Sequence, residues 1–340
     1  MNTETPVPLF DHLRRMTDSR GTFEHACLDA PRPEHGYCTD DMARVIVVVV
    51  RQPEVDRTLN GLAGLALRFL GDAQTLTGPC RNRMDSSGRW TDEPGLDDPW
   101  GRCVWATGTA AAHSPVAWAK QTALMQFERA VQARSTSPRA MAFAALGAAE
   151  LLGVQPDHAG ARRLLTDYRE SLPAPTGDPA WPWPEARLAY ANAVLAEAMI
   201  ATGDELDDAE LRRRGLDLLA WLVDYETVDG HFSPTPVGGR DNSDARPGFD
   251  QQPIEVAALA DACARAAAVD PDESWPDGVR RAAAWFEGDN DSAQVMWDPA
   301  TGGGYDGLHA DGVNLNRGAE STLAVLSTFQ HARRLATVPR

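Results

Sequence analysis

Apolar residues recur at intervals of three and four through most of the chain, the spacing of one buried helical face. Twelve helices are predicted on this pattern, at about 6–17, 38–51, 55–71, 98–112, 114–132, 138–152, 157–171, 185–202, 206–225, 251–269, 275–288 and 315–335. Several starts carry a chemical signature. Asp98-Pro99 and Ser137-Pro138 each place a capping side chain before a proline suited to the first helical position. Thr39 is positioned to cap the second helix, with Asp40 and Asp41 at the positive end of its dipole. The run Val45 to Val50 has strand-like propensity. It is read as helical because a helix buried on all sides can be uniformly apolar and a polar helix start precedes it.

The connections alternate in length. Long ones follow the first, third, seventh, ninth and eleventh helices, at 18–37, 72–97, 172–184, 226–250 and 289–314. Those after even-numbered helices are short, and the one between the fifth and sixth helices is short where the alternation predicts a long one. Antiparallel helices joined in sequence send successive loops to opposite ends. The long loops therefore gather at one end, and twelve helices form six hairpins. The fold expected is all-α, a closed (α/α)6 toroid spanning residues 1–340 as a single domain. Loops held by a rigid scaffold are where function concentrates.

Composition narrows the partner. A net charge of −17 repels nucleic acid and anionic membranes, whereas a neutral sugar fits it. The longest apolar run, Val45 to Val50, is far too short to span a bilayer, so no membrane insertion is expected. Met1 to Phe10 has neither the basic start nor the apolar core of a secretory leader. Together with five cysteines, an odd number read as reduced thiols, this predicts a cytoplasmic location.

The long loops lead into the even-numbered helices, and unusual residues cluster at those starts: Tyr37 to Arg44, Asp97 to Arg102, Trp181 to Glu185, Phe249 to Glu255 and Asn314 to Glu320. If the even helices form the inner ring, these segments converge on one pocket of carboxylates, amides, arginines and indoles. Indole faces stack on apolar sugar faces, and carboxylates and amides bind hydroxyls directionally. Glycosidic cleavage needs two carboxyl groups. The first suspects are Asp41, Asp98, Asp250 and Glu255, drawn from a set that also holds Asp40, Asp97, Glu185, Asp306 and Glu320. His35, Tyr37, Asp40, Arg44, Trp100, Arg102, Trp183, Glu185, His231, Gln251, Gln252, Asp306, Asn316 and Glu320 are expected to bind substrate. Bland roles compete: Asp40 with Arg44 as an ordinary helical pair, Asp98 as a cap, Trp100 and Trp183 as core. The spacing of His25, Cys27, His35 and Cys38 matches no common zinc pattern, so no metal is expected. Gly302-Gly303-Gly304 lacks the lysine and preceding strand of a phosphate loop, no nucleophile elbow is present, and no cofactor is expected.

One ordered series of motifs is specific. It runs through His35-Gly36-Tyr37-Cys38-Thr39-Asp40-Asp41, Gly88-Arg89-Trp90, Asp98-Pro99-Trp100-Gly101-Arg102 and Gly230-His231-Phe232-Ser233-Pro234. It continues through Phe249-Asp250-Gln251-Gln252-Pro253, Tyr305-Asp306-Gly307-Leu308, Gly312-Val313-Asn314-Leu315-Asn316 and Gly318-Ala319-Glu320-Ser321-Thr322. From about residue 9 to 330 the chain resembles a bacterial family of six-hairpin-glycosidase-like domains, found alone or joined to glycosyltransferase domains. The resemblance implies an (α/α)6 toroid and carbohydrate metabolism. The chain departs from the family at Met42, where asparagine is expected, and near Ala186 and Ala191, where acids are expected. Loss of a catalytic carboxylate removes a proton donor or acceptor.

The leading expectation is a glycoside-cleaving enzyme acting on an oligosaccharide by carboxylate acid–base chemistry. In a phosphorolytic version, Arg44 or Arg102 holds phosphate. The alternatives are a non-catalytic glycan-binding accessory module with a glycosyltransferase as partner, and a sugar epimerase or isomerase using His25, His35, His231 or His309.

Overall fold

The computed structural model describes residues 5–337. Twelve helices lie along them: α1 Asp11–Arg15, α2 Thr39–Arg51, α3 Arg57–Ala73, α4 Asp98–His113, α5 Ala117–Ala130, α6 Pro138–Val154, α7 Ala159–Ser171, α8 Ala193–Glu205, α9 Ala209–Tyr225, α10 Pro253–Val269, α11 Ser274–Phe286 and α12 Ala319–Thr337. The even-numbered helices pack against one another in the closed cycle α2, α4, α6, α8, α10, α12 and back to α2. Each of α3, α5, α7, α9 and α11 packs outside the even helix preceding it, and α1 packs on α12. His12 Nε2 lies 2.7 Å from the Arg317 carbonyl across this last seam, so the first and last hairpin halves close the ring.

Inner and outer helices differ because only the inner ones are covered all round. In α2 every residue from Met42 to Val49 is buried, which explains an apolar run with no polar face. In α7 and α11 the buried residues instead form one stripe at the helical period. The α4–α6 contact is built on glycine. A Cβ at Gly108 would lie 2.1 Å from the Gly147 carbonyl oxygen, and one at Gly147 would lie 2.2 Å from that of Val104.

Three predicted boundaries shift for local reasons. The first helix shrinks from 6–17 to Asp11–Arg15, with Pro6 and Pro8 ahead of it and a Thr17–Thr22 bridge behind. The eighth starts at Ala193 rather than 185, after Ala191 takes a left-handed φ of 44° that no helix can contain. The cap of α2 is Cys38, whose Sγ accepts from the Asp41 N–H at 3.4 Å, while Thr39 donates its hydroxyl to the Arg81 carbonyl at 2.7 Å.

The long connections lie at the N-terminal ends of the inner helices. They carry three two-stranded antiparallel hairpins, β1 Ala26–Cys27 with β2 Ala30–Pro31, β5 Thr227–Val228 with β6 His231–Phe232, and β7 Gly307–His309 with β8 Gly312–Asn314, and one antiparallel pair that joins two connections, β3 Tyr37–Cys38 with β4 Arg83–Met84.

The toroid axis is layered. Val47, Val48, Trp105, Phe143, Leu146, Val194 and Leu323 plug its middle around a void of only about 40 Å³. At the C-terminal ends, Arg51 donates to Asp261 at 2.7 Å, His331 meets the same carboxylate at 2.6 Å, and Arg265 pairs with Glu150. Such cations oppose the negative ends of the inner-helix dipoles. Glu197 faces the cavity of about 940 Å³ at that end. Burial, with Asp261 adding like-charge repulsion, pushes its carboxyl up to about 7. No described helix is long and apolar enough to cross a membrane.

Candidate active site at the open end

At the N-terminal end of the axis the inner helices present charge instead of hydrocarbon. Arg44 on α2 donates to Asp41 at 2.6 Å and to Glu320 of α12 at 2.6 Å. The Cys38 thiol donates to the other oxygen of Asp41 at 3.1 Å. Asp41 is buried, and that burial raises its carboxyl to about 6 against the pull of Arg44. Arg102 on α4 spans Asp40 at 3.3 Å and Asp98 at 3.7 Å, with its guanidinium 4.1 Å from the Phe143 ring centroid. Burial raises the Asp40 carboxyl, with Arg102 and Arg44 opposing it. Asp98 is the first residue of α4 and Asp97 its cap, so the Asp98 carboxyl is not consumed as a helix cap.

Arg139, second residue of α6, grips Glu185 with both terminal nitrogens, at 2.6 and 2.8 Å, and donates Nε to the Tyr190 carbonyl at 2.6 Å. Glu255 on α10 accepts from the backbone N–H groups of Ala191 at 2.5 Å and Asn192 at 3.3 Å, and from the Asn192 amide at 3.2 Å. Burial first, then the charge of Glu226, pushes Glu255 up to about 8. It is spent on holding the 191–192 turn and is sealed from solvent.

The 289–314 connection packs at the same end of the axis. Gln251 and Leu308 exchange both backbone hydrogen bonds, at 3.0 and 2.9 Å, which brings Asp250 beside His309, 3.9 Å away. Partial burial raises the Asp250 carboxyl, against the pull of His309. Gly307 makes this fit possible: a Cβ there would lie 2.3 Å from Asp250 Oδ1. Asp306 accepts from the Gly318 N–H at 2.7 Å, and burial raises its carboxyl too. His25 and His35 sit edge-to-face with ring centroids 4.8 Å apart, and His25 is within electrostatic reach of Asp306.

Asp40, Asp41, Arg44, Asp98, Arg102, Glu255 and Glu320 lie at or next to the starts of inner helices, and Glu185 is paired with Arg139 at the start of α6. Other expected ligands are committed elsewhere. Trp100 is fully buried, with Nε1 donating to the Ala130 carbonyl of α5 at 3.1 Å, and so packs in the seam between inner and outer helices. Trp183 is also fully buried, stacked against Trp221, and donates Nε1 to Glu185 at 3.3 Å. Neither indole presents a face to a ligand. Tyr37 is buried and donates its hydroxyl to Asp18 at 2.7 Å. His231 and Gln251 share Asp291, at 3.0 and 2.6 Å, and so join two loops. Asn316 accepts from the Leu28 N–H at 2.9 Å, and Gln252 is the α10 cap position without a capping hydrogen bond. His25, Cys27, His35 and Cys38 do not form a ligand group: Cys27 is exposed, whereas Cys38 is buried against Asp41. Of the departures from the family pattern, Met42 is core, Ala186 is exposed and Ala191 sits on Glu255.

Arg139, Asn192 and Tyr190 stand outside the expected site residues. Arg139 follows an even-helix start like Arg44 and Arg102, but the loop before it is short. The apolar pattern predicts a helix through Tyr190 and Asn192, where a bent turn stands instead.

No known protein-family model matches the chain, and no curated protein resembles it in sequence. Solved structures do resemble it in shape. A sugar epimerase from a ruminal bacterium superposes with a TM-score of 0.70 at 14% identity, over 97% of this chain and 96% of that one. The chain has the six-hairpin (α/α)6 toroid fold. A cellobiose 2-epimerase from Bacillus thermoamylovorans B4167 shares the toroid with a TM-score of 0.70 at 12% identity, covering 95% of each chain. A D-mannose isomerase shares it at 0.64 and 12%, over 97% of this chain and 95% of that one. A glycosyl hydrolase of family 88 from Bacteroides vulgatus shares it at 0.56 and 10%, over 88% and 93%.

Proposed function

We propose that this chain is a saccharide-processing enzyme whose open end moves protons on a reducing sugar, as an epimerase or isomerase. The observation that carries the reading is how the acids and imidazoles are divided. Asp41 and Glu255 are buried and held by Arg44 and by backbone N–H groups. At the rim, by contrast, partly exposed His309 lies beside Asp250, and His25, stacked edge-to-face on His35, is within electrostatic reach of Asp306. Removing a proton from the carbon next to a sugar carbonyl calls for a base that titrates near neutrality, which imidazole does. The full-length likeness to a sugar epimerase, a cellobiose 2-epimerase and a D-mannose isomerase supports this choice, as does a −17 net charge that suits a neutral substrate.

Glycosidic cleavage is the second reading. It is favoured by Asp98 and Asp250, the two first suspects that keep solvent contact. Incubation with cellobiose, D-mannose and a panel of oligosaccharides in D₂O separates them. Deuterium at C2 with an isomeric product is the expected result. Cleavage without deuterium uptake selects the second reading. Binding without turnover makes the chain an accessory module and overturns both.

A further inference from the structure

Among the described residues, Tyr190 is the one large aromatic at the open end that keeps a wide exposed surface, at 45%. An exposed tyrosine is normally mobile, but this one is held by Arg139 at both its ring and its backbone. Its ring lies 4.8 Å from the Arg139 guanidinium, its carbonyl accepts from Arg139 Nε, and its hydroxyl lies within electrostatic reach of Asp98. The next residue, Ala191, holds the left-handed φ of 44°, a conformation costly for any residue with a Cβ. The buried Glu255 carboxylate holds that turn through the Ala191 and Asn192 N–H groups. Three inner-helix starts therefore converge on the backbone and side chain of one exposed ring.

We infer that Tyr190 is the stacking platform for a pyranose ring, with Asp98 at its edge taking one sugar hydroxyl; this rests on the saccharide reading above. One ring face is occupied by Arg139, and the open face offers an apolar surface to axial C–H groups. Because the ring is already held, stacking on it costs little conformational entropy. Asp98, near the tyrosine hydroxyl and 3.7 Å from Arg102, is positioned to accept a hydroxyl hydrogen bond from the same sugar. The platform takes the role that the buried indoles of Trp100 and Trp183 cannot fill. Glu255 acts here as a positioning residue through the turn.

The test uses the full chain with cellobiose and methyl β-D-glucopyranoside, followed by calorimetry and by saturation transfer from aromatic protons to sugar C–H groups. Tyr190→Ala is expected to weaken binding about tenfold and to abolish the transfer, at unchanged melting temperature. Tyr190→Trp should keep both, and Tyr190→Phe should keep the transfer while losing part of the affinity. On a substrate that turns over, Tyr190→Ala should raise KM and spare kcat. The inference falls if the wild type binds a sugar and Tyr190→Ala binds it equally. If Tyr190→Ala unfolds, loss of binding in Tyr190→Trp overturns it. If the wild type binds none of the panel, the saccharide reading itself fails and takes the platform with it.

Discussion

Asp250 owes its place at the rim to a missing side chain, that of Gly307, whose absent Cβ leaves room for the carboxylate. Gly307→Ala should displace Asp250 from His309 and lower kcat by at least tenfold, with a smaller change in melting temperature. Asp250→Asn should lower kcat by roughly a hundredfold or more if the carboxylate takes part in proton transfer, a range typical of general acid–base groups. Steady-state kinetics on whichever substrate turns over checks both. Glu197, at the other end of the axis, supports a prediction about pH. Its folded-state carboxyl is raised to about 7, above its unfolded value, so its contribution is fully present below the unfolded value and is lost as pH rises through 7. Glu197→Gln should therefore be more stable than the wild type at pH 8.5, by roughly 3 kcal/mol from the size of such a shift, and should show no gain at pH 4. Thermal melts across that range decide it. Equal melting temperatures at pH 8.5 would remove the buried-acid account.

At the scale of elements, the α4–α6 contact has no room for another atom. Gly147→Ala places a Cβ 2.2 Å from the Val104 carbonyl oxygen. Overpacking of this kind costs about 1–3 kcal/mol, and here backbone must move, so the upper part of that range is expected in denaturant unfolding. Element identity was legible because periodicity and caps are local. Asp98-Pro99 and Ser137-Pro138 mark helices that do begin there. The segment 185–192 was not legible. Its alanines and leucine fit a helix, and what bends it is Glu255, about sixty residues away, bonded to the Ala191 N–H. Local propensity carries no record of that partner.

For the whole molecule, α12 closes the ring by packing on both α10 and α2. Removing residues 319–340 should therefore expose the apolar axis on two sides and abolish cooperative unfolding, whereas the intact chain should melt in one transition. Calorimetry of the two forms makes the comparison. The hydrophobic period and the alternation of loop lengths determined twelve helices, six hairpins and the end at which polar residues gather. These are consequences of chain connectivity, since antiparallel neighbours must send their loops to opposite ends. They also put Asp40, Arg44, Asp98, Arg102, Glu255 and Glu320 near the starts of inner helices, where each is found. Only the tertiary structure decided which of these groups stay accessible. Trp100 and Trp183 face protein, Tyr190 faces solvent, and Asp41 and Glu255 are sealed. Exposure depends on what packs against a residue from distant segments, and charge state follows exposure, because burial penalises the ionised form of a carboxyl group.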